Sequence, residues 1–437
     1  MTSADPIYDR RLRAGVAIGV HTVVDFFSFF VIALMPLLSA RLGMSKVEVA
    51  ILIGVGSITS GAIQPIVALL SDRHNTRTLG TIGMCIALVC ISSIGFAQHF
   101  WHLLVLHAIG AAGVGAFHPP AAAAVGSLAG RARSRYVAYF FLAGMMGGVL
   151  GNLLSPVYVS GFARLAAGDG ETPDIAFGLR SLAWFLPIGF GSALVLAWAI
   201  HRVPHKGHGA SAFHASLSEV ERRLRWFAVG VLYFGNVIRF SVNMALVYLV
   251  VEWTTRLATR RLGPEATIEQ IGLAASKLNG PLQGAQQVGM GAGGITLGLL
   301  LAVRFEKAAF MTMPWVGAIA IACLPLAEGL ATQWVMPMAF FATVLAGIGF
   351  GSMVPISMSL AQRLLPHRTS LASGLMLGGA WMVAFLGPQF AGAIQTWFSL
   401  EIAFIATGAL LAGAGVLGWA LPAQVMMQSA EEGVTPP

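Results

Sequence analysis

The stretch AGVAIGVHTVVDFFSFFVIALMPLL, Ala14 to Leu38, decides the reading of this chain. It exceeds the roughly 20 apolar residues a helix needs to cross a bilayer. Within it His21 and Asp25 stand four positions apart, one helical turn, so both side chains lie on one face. A charged aspartate at the centre of a membrane helix costs roughly 2.5–3.5 kcal/mol on insertion scales. Such a group is kept where a partner, a wet cavity or a change of protonation state offsets that cost. A carboxylate whose surroundings alternate between dry and cation-bearing takes up a proton in one and releases it in the other. Asp25 is therefore the candidate proton carrier, with His21 as the group that stabilises the charge or relays the proton. A hydrogen bond to a neighbouring helix, for packing alone, is the alternative.

Working outward, the whole chain has the composition of a membrane protein. Charged residues are 10% of the 437, against about 25% in soluble domains, while 57% are apolar and the mean hydropathy is +0.77. The 52 glycines suit membrane helices that pack through small residues. A net charge of +8 would suggest nucleic acid in a soluble protein, but the basic residues fall in short connections between apolar segments and orient the chain instead. No nucleic-acid partner is expected. Cys85, Cys90 and Cys323 all lie inside apolar segments, so no disulfide, metal or cofactor is expected.

Twelve spans follow, near 14–40, 47–71, 78–98, 101–128, 135–160, 177–201, 225–251, 280–303, 308–328, 333–362, 369–395 and 398–421. The fold class expected is an all-α membrane protein of two pseudo-symmetric six-helix bundles. Residues 1–201 form the first bundle, 202–224 a cytoplasmic linker, 225–422 the second bundle with an inserted outer loop 252–279, and 423–437 a disordered tail. With the N-terminus inside, 17 Lys and Arg fall on inner segments and 8 on outer ones, which favours both termini in the cytoplasm. The halves also echo one another. Arg11-Leu12-Arg13 recurs as Arg223-Leu224-Arg225, 212 residues on; Pro119 pairs with Pro355 after 236, and Pro156 with Pro388 after 232. The jump of about 20 places the insertion at 252–279.

Ionisable groups are rare inside a membrane, so to name them is nearly to name the candidates. Besides His21 and Asp25 they are His107, His118 and, in the second half, Arg239. Arg239 keeps its charge and needs an anion, either Asp25 or an anionic substrate that a guanidinium fork can hold through two hydrogen bonds. His118, Asn236, Asn243 and Gln64 are further candidates to touch substrate. Each also suits plain helix packing. Pro119 and Pro120 remove helix hydrogen bonds beside His118 and predict a kink; with Pro156, Pro355 and Pro388 they are candidate gates. Gly144, Gly147, Gly148 and Gly151 make a smooth face for a closely packed helix. Two histidine groups, His99, His102 and His107, and His201, His205, His208 and His214, have ligand-like spacing but read better as solvated loop residues. A non-transporting receptor and a membrane enzyme are the other classes weighed. No nucleophile or paired carboxylates mark a span end, so an enzyme is not expected.

These residues resemble a family. The His21-x-x-x-Asp25 pair followed by Pro36-Leu37-Leu38, Phe117-His118-Pro119 after a glycine run, and Ala361-Gln362, Ala372-Ser373-Gly374 and Ala380-Trp381 are similar to the fosmidomycin-resistance-type members of the major facilitator superfamily. The resemblance spans both halves. It implies a twelve-helix exporter of the inner (plasma) membrane driven by proton antiport, with a small anionic or amphiphilic molecule as substrate and a site between the halves near the midplane; a monomer is the working unit expected. Ser71-Asp72-Arg73 resembles the superfamily's loop that locks the halves at the cytoplasmic face, which makes Asp72 and Arg73 gating candidates. An importer or uniporter of a small organic anion is the alternative on the same fold.

Overall fold

The computed structural model describes residues 6–74, 77–168, 172–201, 203, 218–365 and 368–432. Among them there is no strand. Eleven helices are long and apolar enough to cross a membrane. In chain order the helices are α1 (Pro6–Ser28), α2 (Phe30–Ala33), α3 (Met35–Leu42), α4 (Lys46–Arg73), α5 (Arg77–Ser92), α6 (Phe100–Ala129), α7 (Arg133–Ala167), α8 (Ile175–Arg180) and α9 (Leu186–His201). Then come α10 (Glu219–Leu262), α11 (Ile268–Leu300), α12 (Glu306–Cys323), α13 (Thr332–Gly351), α14 (Met353–Leu364), α15 (Thr369–Gly374), α16 (Ala380–Val383), α17 (Leu386–Trp397), α18 (Leu400–Trp419) and α19 (Ala423–Glu432). The eighth span expected from the sequence falls in α11. That helix is long enough, but Asn279, Gln283, Gln286 and Gln287 make it too polar to count among the eleven.

Two compact units form. One takes residues up to 206 together with 250–287, and the other takes 207–249 and 288–437. This differs from the expected division at the linker: the end of α10 from Val250 and the beginning of α11 up to Gln287 group with the first unit. The expected outer loop 252–279 is also corrected: α10 runs on to Leu262 and α11 starts at Ile268, so the inserted residues lengthen two helices. A capping pair explains the new start, with Thr267 Oγ1 accepting from the Gln270 N–H and Gln270 Oε1 accepting from the Thr267 N–H. The tail departs from expectation as well. α19 is helical, and Val425 and Met426 are buried in the second unit's core with Leu421, Phe310 and Leu360.

In the first unit the opening span is broken at Phe29 and Leu34. Pro36 has no N–H to give and clashes with the turn before it, which accounts for the second break. α11 repairs the damage: Asn279 Nδ2 donates to the carbonyls of Ile32 and Ala33, and the Leu37 N–H donates to Ser276 Oγ. In the second unit, span ten breaks at Ser352, three residues before Pro355, and span eleven breaks at Ala384 and Phe385 before Pro388. A π-helical turn, Leu375–Gly379, precedes that second break. Pro119 and Pro120 in α6 and Pro156 in α7 lie inside continuous helices.

Asn279 satisfies two carbonyls at a broken helix, whereas Gln64 Nε2 donates only to Ser60 Oγ on its own helix. Asn279→Ala should therefore lower unfolding stability by about 1–2 kcal/mol, and Gln64→Ala by less than about 0.5 kcal/mol. Thermal unfolding of the detergent-solubilised chain checks the difference.

Candidate functional site

Three side chains of the first unit meet. His21 and Asp25 come from α1, as their spacing predicts, and His118 comes from α6. His21 Nε2 lies 3.3 Å from Asp25 Oδ2, His118 Nε2 lies 3.5 Å from Asp25 Oδ1, and the two Nε2 atoms are 3.0 Å apart. Among the described residues this is the one group of three His, Cys, Asp or Glu side chains close enough to share an ion. His21 is 2% exposed, while the side chains of Asp25 and His118 keep 16% and 24%. The cluster is thus dry on the His21 side and reachable on the other.

The far ring nitrogens fix the tautomers. His21 Nδ1 lies 2.7 Å from the Phe140 carbonyl and His118 Nδ1 lies 2.8 Å from the Val114 carbonyl. A carbonyl oxygen only accepts, so both Nδ1 atoms carry hydrogen. In neutral rings that leaves two bare Nε2 lone pairs facing each other and a carboxylate. Three acceptors at hydrogen-bond distance repel unless a cation lies among them. One proton closes the cluster at zero net charge, and a second gives it a net charge of +1.

Its walls follow from sequence that looked like packing alone. α7 lays its glycine face on α1: a Cβ at Gly147 would collide with the Thr22 carbonyl oxygen, and one at Gly151 with that of Phe26. Gly144 touches the site itself, since a Cβ there would come within 2.6 Å of both Asp25 Oδ2 and His21 Nε2. The Phe140 ring, one turn before Gly144, stacks on the His21 ring with centroids 3.8 Å apart.

Arg239 belongs to the second unit, in α10. It is 2% exposed. Its Nη1 donates to Asn236 Oδ1 at 3.2 Å, its guanidinium carbon lies 5.3 Å from the Phe310 ring centroid, and its Nε is buried with no partner. No described carboxylate of its unit is within ion-pair distance. Asn236 is held in turn, Nδ2 donating to Ser357 Oγ at 2.7 Å and to the Met376 carbonyl at 3.1 Å. Asn243 is buried two turns further along the same helix face.

Among the described residues, Gln64, His99, His102 and His107 are not brought to either place. Gln64 bonds within α4. The side chains of Asp72 and Arg73 lie outside the described residues, as do His205, His208 and His214. His99 and His102 pair ring to ring with centroids 3.6 Å apart, but His107 does not join them and is buried near Gly56. His118, a candidate wall of a substrate path, sets its side chain against His21, Asp25 and the Val114 carbonyl. Nothing in the sequence spacing joins residues 97 apart.

Eleven apolar spans, with broken helices stitched by polar side chains and ionisable groups kept deep within them, make this a polytopic membrane protein. The model of the Major Facilitator Superfamily matches residues 18–263, more than half of the chain, and the chain belongs to that family. It is similar to the fosmidomycin resistance protein of Escherichia coli (strain K12), 22% identical over 397 residues that cover 88% of this chain and 86% of that protein. Its fold is that of a bacterial homolog of the human lysosomal transporter Spinster in an inward-facing, unoccupied conformation (TM-score 0.73, 16% identity, 98% of this chain and 99% of that one). A bacterial homologue of the human drug peptide transporters PepT1 and PepT2 shares it too (TM-score 0.62, 13% identity, 97% and 99% covered).

Gly144 supplies a direct test of the cluster's packing. Gly144→Ala should destabilise the protein by about 1–3 kcal/mol through overpacking. Gly161→Ala, where a Cβ meets nothing within 4 Å, should be neutral or stabilising by up to about 1 kcal/mol. Melting curves of the two variants side by side decide it.

Proposed function

We propose that the protein is a proton-coupled exporter of a small anionic or amphiphilic molecule, working by alternating access in the inner membrane with both termini cytoplasmic. The observation that carries this is the convergence of Asp25, His21 and His118 around a place that must hold a cation. When the cluster is wetted from the side of higher proton activity it loads a proton, and when wetted from the other side it gives the proton up. Asp25 carries the counter-charge in both states, and the two imidazoles pass the proton across 3.0 Å. The word resistance in the relative's name, and the 17 to 8 distribution of basic residues, support outward transport and the orientation.

Arg239 binds the anionic group of the substrate. It is a buried guanidinium with an unpaired Nε and one neutral acceptor, so an incoming oxyanion would satisfy donors that the folded unit leaves short. Asn236 orients it, and Asn243 continues the same face. The helix breaks before Pro355 and Pro388 are where the second unit can bend. Asp72 and Arg73 at the end of α4, with Pro119 and Pro156, complete the gating set, and the working unit is a monomer.

Reconstituted in liposomes with a trapped pH indicator, the chain should move protons when, and only when, substrate is present. A survival screen of expressing cells against anionic and amphiphilic toxins supplies that substrate. Asp25→Asn should abolish the coupled proton flux while the protein stays folded; undiminished flux in that variant sinks the proton role. Arg239→Lys keeps the charge and loses the planar fork. It should cut transport at least about tenfold, corresponding to some 1.4 kcal/mol, with a smaller change in melting temperature. Near-normal transport by it removes Arg239 from substrate binding. The direction of flux under an imposed pH gradient separates export from import.

A further inference from the structure

We propose that His21, Asp25 and His118 form a binding site for one first-row divalent transition cation of borderline softness, Zn2+ or Co2+. The assignment stands on the donor geometry and does not depend on the transport reading above. Imidazole nitrogens sit about 2.0–2.1 Å from such an ion and carboxylate oxygens about 2.0–2.2 Å, which puts neighbouring donors roughly 3.0–3.5 Å from one another around it. The separations here are 3.0, 3.3 and 3.5 Å.

The outer shell is that of a metal site as well. Histidines that bind a metal through one ring nitrogen donate the other N–H to a carbonyl or carboxylate, which fixes the tautomer and aims the lone pair inward. Both rings do this, to Phe140 and to Val114. The Phe140 ring stacks on His21 and holds its plane. Three protein ligands leave a coordination position open, and the residual exposure of Asp25 and His118 lets a water or a substrate oxygen reach it. Two imidazoles among three donors select against Mg2+ and Ca2+, which prefer all-oxygen surroundings. Two imidazoles and a carboxylate, without a thiolate, select against the softest cations. The ion and the proton contend for the same lone pairs, so a bound ion blocks the proton site.

Tag-free protein in detergent is titrated with Co2+, followed by visible absorption, and with Zn2+, followed by calorimetry. One ion per chain should bind, and Zn2+ but not Mg2+ should raise the melting temperature. His118→Asn and His21→Asn, each checked for a monodisperse, folded sample, should weaken binding at least about tenfold. The His99→Ala/His102→Ala double variant removes the other histidine pair and should bind as the unsubstituted chain does. Binding that disappears in the double variant, or Co2+ that stays in its aqueous form, overturns the assignment. A chain that couples protons yet takes up no Co2+ sinks this site and leaves the transport reading standing; one that binds Co2+ without proton coupling does the reverse.

Discussion

The arrangement in the first unit depends on one electrostatic constraint. Two imidazole nitrogens and a carboxylate, drawn to within 3.0–3.5 Å inside an apolar bundle, present more electron pairs than they have hydrogens to share. The carbonyls of Phe140 and Val114 have already taken the Nδ1 hydrogens. Removing either histidine would leave the Asp25 carboxylate with less to offset it in low dielectric, where an uncompensated charge costs several kcal/mol. The cluster is therefore a centre whose stability varies with what cation occupies it, and a fold that exposes it to different surroundings in turn would make occupancy and conformation depend on each other.

That constraint also explains the glycines. His21 reaches the Phe140 carbonyl only if α7 lies almost against the α1 backbone, and a Cβ at Gly144, Gly147, Gly148 or Gly151 would collide with the site, with the Thr22 carbonyl, with the Phe29 ring or with the Phe26 carbonyl. Helix contact through small residues, the general means of packing in lipid, is here what brings the carbonyl and the stacking ring to the histidine. Packing and chemistry use the same residues.

How much of this could be read from the chain alone follows from the range of each interaction. The helices and the pairing of His21 with Asp25 are matters of local period, and hydropathy with i, i+4 spacing reveals them. Membership of the family was legible in the same way, through motifs distributed over both halves. His118 was not, because what joins it to Asp25 is the packing of α6 on α1, and no periodicity reports that. Gly144 looked like its three neighbours, although it alone touches the site. The helical extension of α10 and α11 does not show in the sequence because the jump in offset between the halves marks an insertion without saying what it forms, while the Thr267–Gln270 cap that starts α11 is a short signal. α19 was read as disordered from its polar composition, yet Val425 and Met426 fall one turn from Leu421 and Ser429 and need only a surface to pack on.

The second unit poses the opposite problem to the first. Asn236 is fully engaged: its amide nitrogen donates to Ser357 and Met376, so its oxygen must face Arg239. That gives one neutral acceptor to a group with five donors, supplemented by the face of the Phe310 ring. A soluble protein would meet a buried guanidinium with a carboxylate. Here the charge is desolvated, oriented and left short of acceptors, at a cost that a fold selected for stability alone has no reason to bear. The two units thus hold complementary deficits, a surplus of acceptors around Asp25 and a surplus of donors around Arg239. A cation satisfies the first and an anion the second, so each unit is stabilised by an occupant of opposite sign.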